Sequence, residues 1–177
     1  MLSNLTSSLS FAQGLGLFAF FVGISAFLQR QDHQFRTRLT LYSGFIAIHF
    51  WLMGAPAAST SCIISAIRTW VSGRSPRRRW MWLFIVMVWV IGLPQVHHPM
   101  QALALVGTTV GTWGLFTLHG LRLRLCMLSG TVIWFTHNLW LGSIGGSLLE
   151  GSFLVTNSVT IFRLYRQQQL AAQVPSA

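Results

Sequence analysis

Long uncharged stretches, separated by short basic segments, make up most of the chain. Apart from Glu150, no charged side chain occurs in residues 1–29, 39–67, 80–121 or 125–162. The hydrocarbon core of a bilayer is about 30 Å thick and takes about 20 residues of α-helix, at about 1.5 Å per residue. Each stretch is therefore long enough for at least one membrane-spanning helix, and the pattern predicts an all-α membrane protein.

Turn-forming residues divide the two stretches in the second half of the chain. Residues 80–121 are interrupted by Pro94 and Pro99, and proline both removes a backbone donor and restricts the residue before it. Residues 125–162 are interrupted by the glycine-rich segment 142–146. Each of these stretches is predicted to hold two helices, whereas the first stretch of the chain holds one.

The stretch 39–67 is consistent with one long tilted helix or with two short helices that meet at residues 54–56. The distribution of arginine decides between them, because short basic loops tend to stay on the cytoplasmic side of a membrane. A single helix would separate the arginines before residue 39 from those after residue 73, whereas two helices keep them on one side. Two helices are therefore predicted.

Seven membrane-spanning helices place every arginine at or near one face of the membrane, which predicts an outside N-terminus and an inside C-terminus. The whole chain, 1–177, is predicted to be one integral membrane domain, with residues 166–177 as a cytoplasmic tail. The predicted helices cover residues 9–29, 39–55, 57–73, 80–94, 99–119, 125–142 and 146–165.

The composition excludes a soluble protein. Only 8% of the residues are charged and 53% are hydrophobic, whereas about 25% of the residues of a soluble domain are charged. The 12 basic and 2 acidic residues give a net charge of +10, but a nucleic-acid-binding protein interleaves its cations with a polar surface. We therefore expect no nucleic acid partner. Anionic lipid of the inner leaflet is the expected partner of Arg74, Arg77, Arg78 and Arg79.

Three pairs of similar segments occur in the same order in the two halves of the chain. Each pair falls in equivalent predicted helices, which favours an internal duplication. The sequence thus predicts two parallel three-helix repeats, at about 9–73 and 99–165, joined by a linker helix at about 80–94. This 3+1+3 arrangement is similar in architecture to the sugar-facilitator and PQ-loop folds. The paired segments are Arg36-Thr37-Arg38-Leu39 with Arg122-Leu123-Arg124-Leu125, residues 49–54 with 137–142, and Ile67-Arg68-Thr69-Trp70 with Phe162-Arg163-Leu164-Tyr165.

A closer resemblance is carried by residues 137–146 and by the segment Glu150-Gly151-Ser152-Phe153-Leu154, which follows soon after. Together with several shorter segments, they make residues 10–166 similar to the YgjV family of bacterial inner membrane proteins. The resemblance implies a multi-pass protein of the bacterial inner membrane, and it implies no substrate, reaction or cofactor. The shorter segments are Ala12-Gln13-Gly14, His49-Phe50, Ala66-Ile67-Arg68-Thr69, Ile91-Gly92-Leu93 and His97-His98-Pro99.

Polar side chains inside the predicted spans mark a candidate binding site. His49, His137 and Asn138 occur at matched depths in the second and sixth helices, and Asn157 is expected across from them on the seventh. Neutral histidine and asparagine both donate and accept hydrogen bonds, which suits the binding of a small uncharged polar solute. The alternative is that these side chains only join helices, through hydrogen bonds worth about 0.6 kcal/mol each on average.

Glu150 is the only acid within the predicted spans. An ionised carboxylate near hydrocarbon must find partners or take up a proton. Glu150 is therefore a candidate proton-coupling group, and the alternative is a carboxylate stabilised by the positive N-terminal end of the seventh helix.

Arg68 and Arg163 occur near the inner ends of the third and seventh predicted helices, one in each repeat. A long arginine side chain at such a position can extend to the lipid headgroups, which is the role we expect. Gating of a cytoplasmic exit is the alternative.

The sequence contains no catalytic arrangement of acids, nucleophile and base, and no phosphate-binding loop. His97 and His98 are adjacent, but neighbouring side chains seldom converge on one metal ion, and neither cysteine nor acid accompanies them. A protein that is not an enzyme, without metal or cofactor, is predicted. Gly107 and Gly111 permit close helix contact, either within the chain or between two copies, so the oligomeric state stays open.

The function that these features favour is facilitated or proton-coupled movement of a small polar solute through the seam between the two repeats. The alternative is a non-transporting membrane protein, such as an assembly or lipid-interacting factor. A hydrated cavity lined by His49, His137, Asn138 and Asn157 would favour transport, and a filled, dry centre would favour the alternative.

Overall fold

A computed structural model describes residues 2–27, 32–72, 74–75, 77–118 and 120–172 of the chain. Outside short turns these residues are helical, and no strand occurs among them. The helices are α1 (Leu2–Phe27), α2 (Asp32–Leu52), α3 (Pro56–Ser72), α4 (Arg78–Gly92), α5 (Pro99–Thr117), α6 (Gly120–Leu141) and α7 (Ile144–Ala172), with a short 3-10 helix at Leu93–Gln95.

The seven α-helices occur where the sequence predicts seven helices, and the stretch 39–67 is divided between α2 and α3, as the arginine distribution predicts. The ends of the predicted first helix and of the tail, together with Arg30, Gly73 and His119, lie outside the described residues. Within the described part of the chain, no helix is both long enough and apolar enough to qualify as a membrane span.

Four predicted helix boundaries are wrong by five to seven residues. The first, second and sixth helices begin at Leu2, Asp32 and Gly120 rather than at residues 9, 39 and 125, and the last continues to Ala172 rather than ending at 165. The extensions of the first, second and last helices contain neither glycine nor proline. The extension of α7 is also rich in glutamine, leucine and alanine, which favour helix.

The turns between α2 and α3 and between α6 and α7 have the same backbone geometry. Gly54 and Gly142 both have φ of 72°, in the left-handed region that glycine adopts without steric cost. Each turn closes with the pair of backbone hydrogen bonds of a Schellman motif. These bonds are Gly54 N to Trp51 O (3.1 Å) and Ala55 N to Phe50 O (2.9 Å) in one turn, and Gly142 N to Leu139 O (3.2 Å) and Ser143 N to Asn138 O (3.0 Å) in the other.

Six helices form a closed ring in the order α1, α2, α3, α5, α6 and α7, with α7 packed against α1. The remaining helix, α4, packs against α3 and α5. The ring has two halves, one formed by α1, α2 and α3 and the other by α5, α6 and α7. In each half the middle helix, α2 or α6, contacts both of its sequence neighbours. The two seams between the halves are therefore the contacts of α1 with α7 and of α3 with α5.

Short connections make successive helices antiparallel, so the turns fall at two opposite ends of the bundle. The arginine end contains the connections from α1 to α2, α3 to α4 and α5 to α6, together with the end of α7. The turn end contains the two Schellman turns and residues 93–98. The arginines near the connections of the arginine end, or in the last turns of α7, are Arg36, Arg38, Arg74, Arg77, Arg78, Arg79, Arg122, Arg124, Arg163 and Arg166.

Polar side chains are buried inside the bundle, and large apolar side chains are exposed on its outside. Buried positions include histidine, asparagine, serine and threonine beside alanine and a few large apolar residues. Large apolar side chains are instead exposed on the outer surface, where soluble monomers seldom expose large continuous apolar patches. The most exposed are Val90 (68%), Val155 (67%), Phe11 (66%), Phe21 (65%), Trp51 (65%) and Phe162 (65%).

Candidate functional site

His49 is fully buried and both of its ring nitrogens are hydrogen-bonded. Nδ1 lies 2.7 Å from the carbonyl oxygen of Ala12, and Nε2 lies 2.7 Å from the hydroxyl oxygen of Ser143. A carbonyl only accepts, so Nδ1 donates to Ala12 and Nε2 accepts from the Ser143 hydroxyl. The Ser143 oxygen also accepts from the backbone N–H of Gly146, at 3.2 Å. His49 thereby joins α1 and α2 to the first turn of α7.

Glycines bring these elements close enough for that network. A Cβ on Gly16 would lie 2.9 Å from the His49 ring, and a Cβ on Gly145 would overlap the backbone of Gly16. The start of α7 therefore lies directly against the backbone of α1. Small residues permit such close approach of helices where a side chain would separate them.

Gln13 forms a second link between α1 and the turn that precedes α7. Its Nε2 donates to the carbonyl of Gly142 at 2.6 Å, and its Oε1 accepts from the N–H of Ile144 at 3.1 Å. Together with Ser143, it supplies partners for backbone groups at this helix junction, which would otherwise stay unpaired. Sequence reasoning did not assign Gln13 and Ser143 to the site, because each acts on residues far away in the chain.

His137 and Asn138 are as deeply buried as His49, but their polar atoms are not satisfied. The two side chains are 0% and 2% exposed. Neither ring nitrogen of His137 has a hydrogen-bond partner, and the Oδ1 atom of Asn138 has none. Buried polar groups are almost always hydrogen-bonded, so this pair is an exception that calls for an explanation.

Aromatic rings surround the unpaired His137. Its ring centroid lies 5.8 Å from that of Phe50, 5.6 Å from that of Trp134 and 6.3 Å from that of Trp140. Phe50 and Trp134 stack on each other across the bundle, with centroids 5.8 Å apart. Phe50 also contacts His49, at 5.3 Å between centroids, and so lies between the two histidines. The centre of the bundle at this level is filled by aromatic side chains.

Asn157 does not join this group. It lies about four helical turns beyond the start of α7. Its Oδ1 atom accepts a hydrogen bond of 3.4 Å from Arg124, near the start of α6. The structure therefore brings His49, His137 and Asn138 together near the turn end and places Asn157 toward the arginine end.

Glu150 lies on α7, between the level of the histidines and that of Asn157. Its carboxyl group interacts with the side chain of Thr131 on α6, and no cation of the described residues interacts with it. The partner of Glu150 is thus a neutral hydroxyl on the neighbouring helix.

The adjacent histidines of the turn before α5 have structural contacts. The Nδ1 atom of His98 accepts from the N–H of Met100 at 3.2 Å and caps α5, and its ring stacks on Trp140 at 4.8 Å. The backbone N–H of His97 donates to the Oε1 atom of Gln101 at 2.8 Å. In the part of the chain that the structure describes, no three histidine, cysteine or acidic side chains are grouped as a metal site would require.

An open groove of about 640 Å³ lies on the outer surface between α6 and α7. Apolar side chains and small hydroxyl residues line it, including Phe135, Leu139, Ser147, Leu148 and Ser152. None of the predicted site residues lines this groove. It is therefore separate from His137 and Asn138 in the centre of the bundle.

Most of the chain matches a known protein family. Residues 10–168 match the family Imp-YgjV, described as bacterial inner membrane protein. The chain is also similar to the inner membrane protein YgjV of Escherichia coli strain K12, with 45% identity over 159 residues, which are 89% of this chain and 86% of that protein. No solved structure matches the chain significantly.

Proposed function

Because the chain belongs to the YgjV family of bacterial inner membrane proteins, we propose that all seven of its helices cross the inner membrane. Large apolar side chains cover the outside of the bundle while hydroxyl, imidazole and amide groups are buried inside it. This distribution suits a bundle surrounded by hydrocarbon, where interhelical contacts use small and polar residues. The arginine end would then face the cytoplasm, with the N-terminus outside and the C-terminus inside.

Anionic lipid of the inner leaflet is the proposed partner of the segment between α3 and α4. Arg74 and Arg77 in this segment are exposed, as are Arg78 and Arg79 at the start of α4. The guanidinium of Arg74 lies 3.9 Å from the ring centroid of Trp70. Tryptophan with arginine is typical of the headgroup region, where the ring is partly buried and the cation meets lipid phosphate.

We infer that the two halves of the ring arose by duplication of a three-helix unit. The inference is supported by the two Schellman turns, whose glycines and hydrogen bonds correspond at one constant spacing in sequence. It also explains why only one of the two central histidines, His49, is hydrogen-bonded. Ser143, the partner of His49, corresponds to Ala55 in the first half, and alanine has no hydroxyl for His137.

The activity that we propose is facilitated or proton-coupled movement of a small polar solute through the seam between the halves. The observation that carries this proposal is the buried pair His137 and Asn138, whose three polar atoms lack partners. A solute with hydroxyl or amide groups would satisfy these atoms, and leaving them unpaired costs about 1–3 kcal/mol each. His49 is assigned a positioning role, because both of its nitrogens are already bonded.

Proton coupling is assigned to Glu150. It lies on α7, between the level of the histidines and that of Asn157. It interacts with Thr131 and has no cationic partner among the described residues. An acid without a countercharge in a membrane protein is typical of proton relays.

A second candidate function has its own support. The aromatic rings of Phe50, Trp134 and Trp140 pack around His137. A filled centre of this kind favours a non-transporting protein, in which the polar core only holds the helices together. Transport would require these rings to move apart in a second conformation.

Solute entry into vesicles separates the two functions when a panel of small polar solutes is compared. The full-length protein is reconstituted, and light scattering follows the shrinkage and re-swelling of the vesicles after rapid mixing with glycerol, erythritol, xylitol, glucose or urea. We expect faster re-swelling than in protein-free vesicles for at least one of them. The variants His137→Leu and Asn138→Leu should slow that entry about tenfold or more, because each loses a hydrogen bond to the solute.

His97→Leu is the matched control, because His97 lies at the same end of the bundle and its imidazole is exposed. It should leave solute entry unchanged. For the transported solute, a pH indicator inside the vesicles reports coupling, and Glu150→Gln should abolish the pH change while solute entry persists. Re-swelling equal to that of protein-free vesicles for every solute would contradict transport and support the second candidate.

A further inference from the structure

The side chain of Arg68 turns into the bundle. Its Nη1 atom donates to the hydroxyl of Thr112 at 2.7 Å, across the seam between α3 and α5. Gly111 lies beside it, since a Cβ there would be in ordinary contact with the same Nη1 atom, at 3.7 Å. By contrast, Arg74, one and a half turns further along the chain, lies over Trp70 on the outside.

Two polar atoms at this seam are buried but unpaired. The Nε atom of Arg68 has no hydrogen-bond partner, and neither has the hydroxyl of Thr108, which is 3% exposed. Thr108 precedes Thr112 by one helical turn, so both face the same seam. The neighbouring Thr109 and Thr112 each donate to a carbonyl four residues earlier, whereas the Thr108 hydroxyl does not.

In the ranges that the structure describes, no carboxylate neutralises the charge of Arg68. Glu150 interacts with Thr131. A partly buried guanidinium without a counterion loses hydration and gains no compensating charge, which is unfavourable unless an anion is supplied from outside.

We propose that Arg68, Thr108 and Thr112 form a binding site for a phosphate group at the seam between α3 and α5. The guanidinium supplies N–H donors arranged as a fork, which matches two phosphate oxygens, and the Thr108 hydroxyl supplies a third donor. The site lies one helical turn from the end of α3, on the arginine side of the bundle. Both a free phosphate-bearing solute and the headgroup of an anionic phospholipid have this chemistry.

The test measures thermal stability of the purified full-length protein in neutral detergent. One arm adds inorganic phosphate, with sodium chloride at equal ionic strength as the reference. The other compares vesicles or nanodiscs of phosphatidylcholine with those that contain phosphatidylglycerol. A ligand that binds only the folded protein raises its midpoint of unfolding with ligand concentration. We expect such a rise in at least one arm, and a rise in only one identifies the source of the phosphate group.

Arg68→Gln and Thr108→Val should each weaken the apparent affinity, by about tenfold or more for Arg68→Gln, because charge-assisted hydrogen bonds are the stronger ones. Thr108→Val preserves shape, so it still tests the site if Arg68→Gln does not fold. Arg122→Gln is the matched control, with the same change of charge at an exposed arginine of the same end of the bundle, and it should keep the response. No rise beyond that of sodium chloride in either arm, or an equal rise in Arg68→Gln and Thr108→Val, would overturn the proposal.

Discussion

At the scale of single residues, the two central histidines have opposite environments despite equivalent positions in the sequence. His49 donates to Ala12 and accepts from Ser143, so its ring and its tautomer are fixed by α1 and by the start of α7. His137 has neither bond. The presence of a serine at one turn and an alanine at the other explains the difference, because only serine offers a hydroxyl.

Ser143 is therefore expected to be important for stability. Ser143→Ala leaves the Nε2 atom of His49 and the N–H of Gly146 without their partner, and a buried unpaired group costs about 1–3 kcal/mol. Unfolding in mixed micelles measures the loss. Ser152→Ala is the control, since its hydroxyl only donates to the carbonyl of Leu148 on its own helix. An equal effect of both substitutions would show that the His49 network does not stabilise the fold.

At the scale of elements, the helix junctions determine how the bundle is assembled. The Schellman turns after α2 and α6 reverse the chain within a few residues, and Gln13 and Ser143 then attach α1 to the second of these turns. Gly16 and Gly145 let α1 and α7 meet backbone to backbone. The ring of six helices is closed at this contact.

The two turn glycines should have equal and purely conformational roles. Nothing lies within 4 Å of a Cβ built on Gly54 or Gly142, but both have φ of 72°. Substitution by alanine is therefore expected to cost about 1–2 kcal/mol at either position, the penalty of a side chain in the left-handed region. The measurement is the free energy of unfolding in mixed micelles.

Gly14→Ala is the reference for these substitutions, because Gly14 also has open space around its Cβ position but lies in helical backbone. It should be neutral or slightly stabilising, since alanine favours helix. A loss of stability at Gly14 as large as at the turns would mean that backbone conformation is not the cause.

At the scale of the whole molecule, charged and large apolar side chains occupy different parts of the surface of the bundle. Arginines gather at one end, and large apolar side chains cover the sides. A bilayer offers the same pattern of environments, with hydrocarbon around the sides and anionic headgroups beside the cytoplasmic end. This match between the molecule and its surroundings supports the orientation that we propose.

Reporter fusions test that orientation. Alkaline phosphatase, active only outside the inner membrane, and a fluorescent protein that folds only in the cytoplasm are fused at the two ends of the chain. They are also inserted after Gly54 and after Ser75, in turns at opposite ends of the bundle. The N-terminus and Gly54 should report the outside, and Ser75 and the C-terminus the inside. Both chain ends in one compartment would exclude an odd number of crossings.

The sequence by itself determined the number of helices and most of their limits. Helix limits depend on glycine, proline and charge at nearby positions, which are visible in the chain, and the same positions divided residues 39–67 correctly. The extension of α7 to Ala172 was missed because the prediction ended that helix at the arginines, although the residues that follow favour helix.

Only the tertiary structure decided which polar residues meet. His49 and Ser143 are 94 positions apart in the chain, and Gln13 and Gly142 are 129 apart. Their hydrogen bonds depend on the packing of α1, α2 and α7, which local pattern does not encode. Matched depth brought His137 close to His49, but Asn157 pairs with Arg124 instead. The depth of a residue gives only its position along the axis of the bundle. A hydrogen bond also requires that the side chain lie on the face of the helix that meets its partner.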